Sequence, residues 1–217
     1  MMTRPPRLTA PSRRERHKQD KLQRIRAAAL TLFTEQGYGS TTIRQIATEA
    51  DVATGTIFRY ATDKADLLLM VFHDVIGQTI EQALDPRRTS GPLAQVLPRL
   101  FDPFFDFYEG HQVLASDFLQ LVLFHQSPWR EREMQQGETF VQRLTELLLG
   151  RQTAGEIAAD LDPHTAAVAI FSLYQACLVG WLAGGATLAD TRRQLDALLH
   201  LQGRALRACL SDQGGEP

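Results

Sequence analysis

The sequence predicts an all-α protein, with a small N-terminal three-helix domain and a larger helical domain behind it. Three observations predict this. Apolar residues recur at three- and four-residue steps along most of the 217-residue chain. No segment shows the two-residue alternation of a half-exposed strand, and Val, Ile and Thr do not cluster. Charge is divided: through Lys64 there are 12 Lys and Arg against 6 Asp and Glu, and beyond it 11 against 19. A basic module that suits a polyanion thus precedes an acidic one.

The elements follow in order. Residues 1–19 are polar, Pro-containing and basic, with no apolar stretch of a secretory signal, and read as a flexible basic arm. Leu22, Ile25, Ala29, Leu32 and Phe33 keep helical spacing and Gly37 marks a stop, which gives a first helix. Thr42 with Gln45 three residues on forms a capping box that opens a second helix to about Ala50. A break at Asp51 and Val52 precedes a third short helix carrying Thr54 to Tyr60, and Asp63 caps a fourth that ends before Pro86. Further helices are expected near 93–108, 112–126, 129–149, 163–184 and 188–210. The predicted domains are 20–66 and 67–217.

Ile43, Ile46, Ala47, Ala50, Val52, Ile57 and Tyr60 carry the packing pattern of two short helices crossing steeply. Ala47 is small enough for the crossing, Asp51 must make the turn, and Val52 with Ile57 fills the angle between them. This is a helix-turn-helix, whose second helix can lie in a DNA major groove. The run Phe33, Gly37-Tyr38, Thr41-Thr42-Ile43-Arg44, Ile46-Ala47, Ala50, Val52, Gly55-Thr56-Ile57-Phe58-Arg59-Tyr60, Lys64 and Leu67 resembles the DNA-binding domain of the TetR family of repressors, over about residues 20–70. Four positions depart from the family's pattern: Asp51 stands for the usual turn glycine, Ala53 for a capping serine, Phe58 for a tyrosine, and Ala61 for an aromatic residue.

The resemblance implies roles. Thr42 and Lys64 meet phosphates at helix N-termini, where the dipole favours anions. Arg44 projects toward the groove, where a guanidinium can bridge the O6 and N7 of guanine. Thr54, Gly55 and Thr56 form the leading edge of the recognition helix, and Phe58, Arg59 and Tyr60 complete the DNA-binding set. Arg13, Arg14, Arg16 and Lys18 of the arm either enter the minor groove or remain a solvated tail.

In the larger domain, eight of the chain's 17 aromatic residues fall between Phe101 and Trp129. This density suggests a pocket for an apolar or aromatic effector, with Phe104, Phe107, Tyr108, Phe124, His125, Trp129, Tyr174 and Trp181 as its candidate lining. Ordinary core packing is the alternative, and Asp102, Asp106 and Glu109 leave a cationic ligand open. Small residues at 166, 169, 176, 180 and 184 and a leucine stripe at 188–210 mark two helices that, by the resemblance, form a homodimer interface through about residues 163–210. The expected protein is therefore a cytoplasmic DNA-binding repressor of palindromic double-stranded operators, released by a small molecule.

Other classes are less well served by the sequence. No GxSxG, HExxH, P-loop or GxGxxG occurs, and the six His and two Cys lack metal-site spacing, so neither an enzyme nor a metal or other cofactor is expected. Residues 165–189 carry no charge. A core helix explains this better than a membrane anchor, because Ser172, Gln175 and many alanines interrupt the run. A DNA-binding regulator that takes no ligand is the remaining alternative.

Overall fold

The computed structural model describes residues 12–207. These residues form ten helices and no strand: α1 (Arg13–Gln36), α2 (Ile43–Glu49), α3 (Thr54–Ile57), α4 (Lys64–Ala83), α5 (Leu93–Leu100), α6 (Asp102–Gly110), α7 (Gln112–Phe124), α8 (Pro128–Thr153), α9 (Pro163–Leu182) and α10 (Leu188–Ala205). The chain divides after Val71 into an N-terminal helix-turn-helix unit and a larger helical unit. Residues 1–11 of the expected arm, together with Cys209 and Leu210, lie outside the described residues.

In the first unit, α1 takes in the last seven residues of the expected arm, 13–19. Ser12 accepts from the Glu15 N–H at 3.2 Å and Glu15 returns the bond to the Ser12 N–H at 2.9 Å, a capping box that winds the basic segment into helix. Its buried face is Ile25, Ala28, Ala29, Leu32 and Phe33. Gly37, at φ 81°, ends it. The buried Thr41 hydroxyl lies 3.1 Å from the Leu32 carbonyl and 2.9 Å from that of Gly37, which fixes the entry to α2.

Thr42 caps α2 as the sequence predicts: its hydroxyl accepts from the Gln45 N–H at 3.3 Å, and the Gln45 side chain accepts from the Thr42 N–H at 2.8 Å. Thr42→Ala removes the hydroxyl that accepts from the Gln45 N–H and leaves only the backbone half of the box. We expect it to cost about 1 kcal/mol of N-terminal unit stability, read as a lower urea midpoint.

The turn is made by Asp51 at φ 50°, the left-handed backbone that favours glycine, and the Arg24 guanidinium donates to its carboxylate at 3.1 Å. The recognition helix is shorter than the sequence suggests. It stops at Ile57, and Phe58 to Tyr60 form the turn after it. Ala53 offers no side-chain acceptor at its start, so only one helical turn is held, by the fully buried Ile57.

In the second unit, the expected helix 93–108 is two helices. Pro103 has no N–H to give the Arg99 carbonyl, which instead accepts from the Arg88 guanidinium at 3.2 Å. The chain bends at the fully buried Phe101. Phe101, Phe104, Phe105, Phe140 and Tyr174 form the aromatic centre, with Phe101 stacked on Tyr174 at 4.5 Å. Arg192 of α10 pairs with Asp102 at 2.8 Å and Asp106 at 2.6 Å, so two of the carboxylates once open to a cationic ligand are already satisfied.

At Gly77 of α4 a Cβ would lie 2.8 Å from Gln136 Nε2 of α8, so a larger residue there would displace the end of the Gln136 side chain. Helix α9 is the one described helix long and apolar enough to cross a membrane, with mean hydropathy 1.6. One side of it is buried through Ala166, Ala167, Ile170, Tyr174, Cys177, Leu178 and Trp181, and the helix packs against α8 and α10. Its other side exposes Val168, Ser172, Ala176, Val179 and Gly180.

Candidate nucleic-acid interface and ligand cavity

The DNA-facing candidates sit on α2, α3 and the segments flanking them. Arg44 is exposed and makes no ion pair among the described residues, so its five donors remain available to a ligand. Thr42, Thr54, Gly55 and Arg59 are exposed, Thr56 and Tyr60 are half-buried, and Phe58 is 52% exposed. Lys64 is more constrained than expected. Its ammonium donates to the Tyr38 carbonyl at 2.7 Å and the Gly39 carbonyl at 3.0 Å and lies 4.6 Å from the centre of the Tyr38 ring. It ties the α1–α2 loop to the start of α4, leaving one of three N–H donors for a phosphate.

Helical order at the N-terminus brings together residues that the sequence reading kept apart. Arg13, Arg14, Lys18 and Lys21 of α1 share an open cleft of about 1100 Å³ with Thr56, Arg59 and Tyr60. Lys21 and His17, both in its wall, were not among the sequence candidates. The signal that would have found them is the Ser12–Glu15 pair, which sets the helical register of the basic run. Glu15, also in the wall, has its carboxyl held below the usual range by the Ser12 N–H and hydroxyl, and so stays ionised beside the cations.

The second unit encloses a cavity of about 250 Å³ among α4, α6, α7, α8 and α9. Of the expected lining, Phe104, Tyr108 and Tyr174 are in its wall; Phe107, Phe124, His125, Trp129 and Trp181 are not. Phe107 packs edge-on against Phe72 at 5.2 Å, Trp129 against His73 at 5.6 Å, and Trp181 against Phe105 at 6.0 Å. Phe124 is 79% exposed at the end of α7. Apolar spacing marks a helix face but does not say whether that face meets a void or a neighbour.

The remaining wall is supplied by residues such as Ile76, Ile80, Phe118, Leu119, Phe140 and Phe171. Val122, Glu133, Met134, Gly137, Phe171 and Gln175 also line an adjoining hollow of about 460 Å³. Together these volumes fall in the range of roughly 300–1,000 Å³ typical of small-molecule sites.

One carboxyl group stands in this apolar wall. Glu133 is buried, and its Oε1 lies 2.7 Å from His73 Nδ1. Burial raises its pKa above the ordinary carboxylate value, while the bond and charge of His73 act in the opposite direction.

Comparison with known proteins agrees with the helix-turn-helix. Residues 25–71 match the model of bacterial regulatory proteins, tetR family. The HTH-type transcriptional regulator HbdR of Aromatoleum sp. (strain CIB) is 45% identical over 73 residues, a segment that spans 34% of this chain and 31% of HbdR. The fatty acid metabolism regulator protein of Bacillus subtilis (strain 168) is 27% identical over 168 residues, 77% of this chain and 86% of that protein.

In overall fold the chain is similar to Thermus thermophilus FadR, a TetR-family repressor solved with lauroyl-CoA. The TM-score is 0.65 at 24% identity, covering 82% of this chain and 92% of that one. These relatives are regulators, not enzymes. The helix-turn-helix and these likenesses agree: residues 25–71 form a DNA-binding domain of the tetR family of bacterial regulatory proteins, and the larger helical unit shares the overall fold of a solved TetR-family regulator.

Proposed function

We propose that the protein is a cytoplasmic repressor that binds a palindromic operator as a homodimer and leaves it when an apolar, acyl-type effector fills the cavity of the second unit. The observation that carries this reading is the basic cleft, in which four cations of α1 stand with Thr56 and Arg59 while Arg44 remains exposed on α2. Such a surface suits phosphate contacts from α1 and Arg59 and a base contact from Arg44.

The exposed small-residue side of α9, with α10 beside it, supports pairing through residues 163–210. A two-fold dimer would then present two recognition helices one helical turn of DNA apart, roughly 34 Å. The acyl assignment draws on the fatty acid regulator of B. subtilis and the lauroyl-CoA complex of T. thermophilus FadR, together with an almost wholly apolar wall. Helix α4 carries both Lys64 and the cavity residues Ile76 and Ile80, which makes it the element to transmit occupancy. A coupling of about 1–3 kcal/mol is typical of such regulators.

Selection of bound fragments from random duplex DNA tests the reading. Wild-type protein is expected to enrich an inverted repeat. Arg44→Ala is expected to lose preference at one symmetric base position, worth roughly 1–3 kcal/mol, while retaining salt-dependent binding. Enrichment of no motif by the wild type would sink the reading.

A further inference from the structure

The single turn of α3 has two unlike sides. Thr56, Arg59 and Tyr60 line the basic cleft with the cations of α1. Thr54, Gly55 and Phe58 stand outside that cleft, and all three are exposed. Phe58 keeps helical backbone angles, φ −63° and ψ −5°. It therefore falls on the face of Thr54 and Gly55, four and three residues before it. A Cβ placed at Gly55 would meet no atom within 4 Å, so the space beside the ring is open.

Among the described residues of the first unit, Phe58 is the one large apolar side chain left exposed, at 52%. Single exposed apolar residues are ordinary on protein surfaces. This one is set apart by its place on the turn that a helix-turn-helix puts into the major groove. A phenyl ring has no O–H, so unlike the tyrosine of the family's pattern it cannot donate to a phosphate. Polar base edges would lose water against it without return. The apolar group that the major groove offers is the C5-methyl of thymine, where cytosine carries only hydrogen.

Resting on the reading of α3 as the helix that enters the groove, we propose that Phe58 is a specificity-determining residue that packs on a thymine C5-methyl in each half-site. The open space at Gly55 lets the base edge approach, and the methyl and the ring leave water together. Phe58 thus separates thymine from cytosine by shape alone, while Arg44 on α2 stays free to read a different base pair through hydrogen bonds.

The test replaces each thymine of the selected operator in turn, in both half-sites, with deoxyuridine, which removes the methyl and leaves the pairing edge intact. Wild-type protein is expected to weaken at one symmetric position, roughly fourfold per half-site and so roughly fifteenfold for the two together. Phe58→Ala is expected to bind the thymine and uridine operators equally at that position and to keep the wild-type salt dependence, since it removes no cation. Phe58→Leu is expected to retain part of the thymine preference. Thermal melting confirms that each variant is folded.

A wild type indifferent to uridine at every position would overturn the methyl contact while leaving the DNA-binding reading intact. A uridine effect that persists undiminished in Phe58→Ala would overturn the role of this residue and pass the contact to another side chain. Enrichment of no operator at all would instead be the failure of the underlying reading, and of this proposal with it.

Discussion

Ile46→Asp is expected to abolish operator binding by unfolding the N-terminal unit. Ile46 is 0% exposed in the middle of α2. A carboxylate there would be cut off from water in the apolar core of a unit where α1, α2 and α3 bury Ile25, Phe33, Ala47 and Ile57. The cost is roughly 4 kcal/mol or more. A unit of about 60 residues has only about 3–9 kcal/mol of stability.

Circular dichroism should therefore lose the helical signal of α1 to α3, with the melting of the second unit retained. Ile46→Leu, which keeps volume and polarity, should cost less than about 1.5 kcal/mol and keep DNA binding. Wild-type affinity in Ile46→Asp would show that the helix-turn-helix core is not organised around this residue.

The second large effect concerns the buried Glu133. Its pKa is raised in the folded protein, so the native state holds this proton more tightly than the unfolded chain does. Its contribution to stability therefore falls as pH climbs from the ordinary carboxylate value toward the raised one. His73 limits that loss through the 2.7 Å bond and its charge.

His73→Phe keeps a ring against Trp129 but removes the nitrogen. The Glu133 pKa should rise further and the deficit reach about 3 kcal/mol at pH 8, shrinking as the pH falls and the carboxyl takes up its proton. Adding Glu133→Gln to His73→Phe should abolish this pH dependence. Urea midpoints measured from pH 5 to 8 decide the matter, and a deficit that is the same at every pH would refute it.

The DNA-binding unit was largely legible in the sequence because its determinants are local. The Thr42–Gln45 box, the small Ala47 at the crossing, and Ile46 and Ile57 each lie within a few residues of what they organise, and all are found in the expected places. The N-terminal arm was misread because a dense run of charges hides a capping box that depends on only two residues, Ser12 and Glu15.

The ligand cavity was less legible. Phe104, Tyr108 and Tyr174 line it, but Gln136, Phe140, Phe171 and Glu133 reach it from α8 and α9, far along the chain. Which aromatic side chains meet a void and which meet each other depends on how distant helices pack, and helical periodicity does not encode that. The partner of Glu133 is 60 residues away on α4.

The brevity of α3 has a thermodynamic consequence. Four residues without a capping side chain have no cooperative reserve, since a helix gains stability only after its first turn is nucleated. The reading head therefore has little rigidity of its own beyond the anchor at Ile57. Docking that also extends this turn would add ordering to contact formation, giving a favourable enthalpy opposed by entropy and a more negative heat-capacity change than rigid docking would produce.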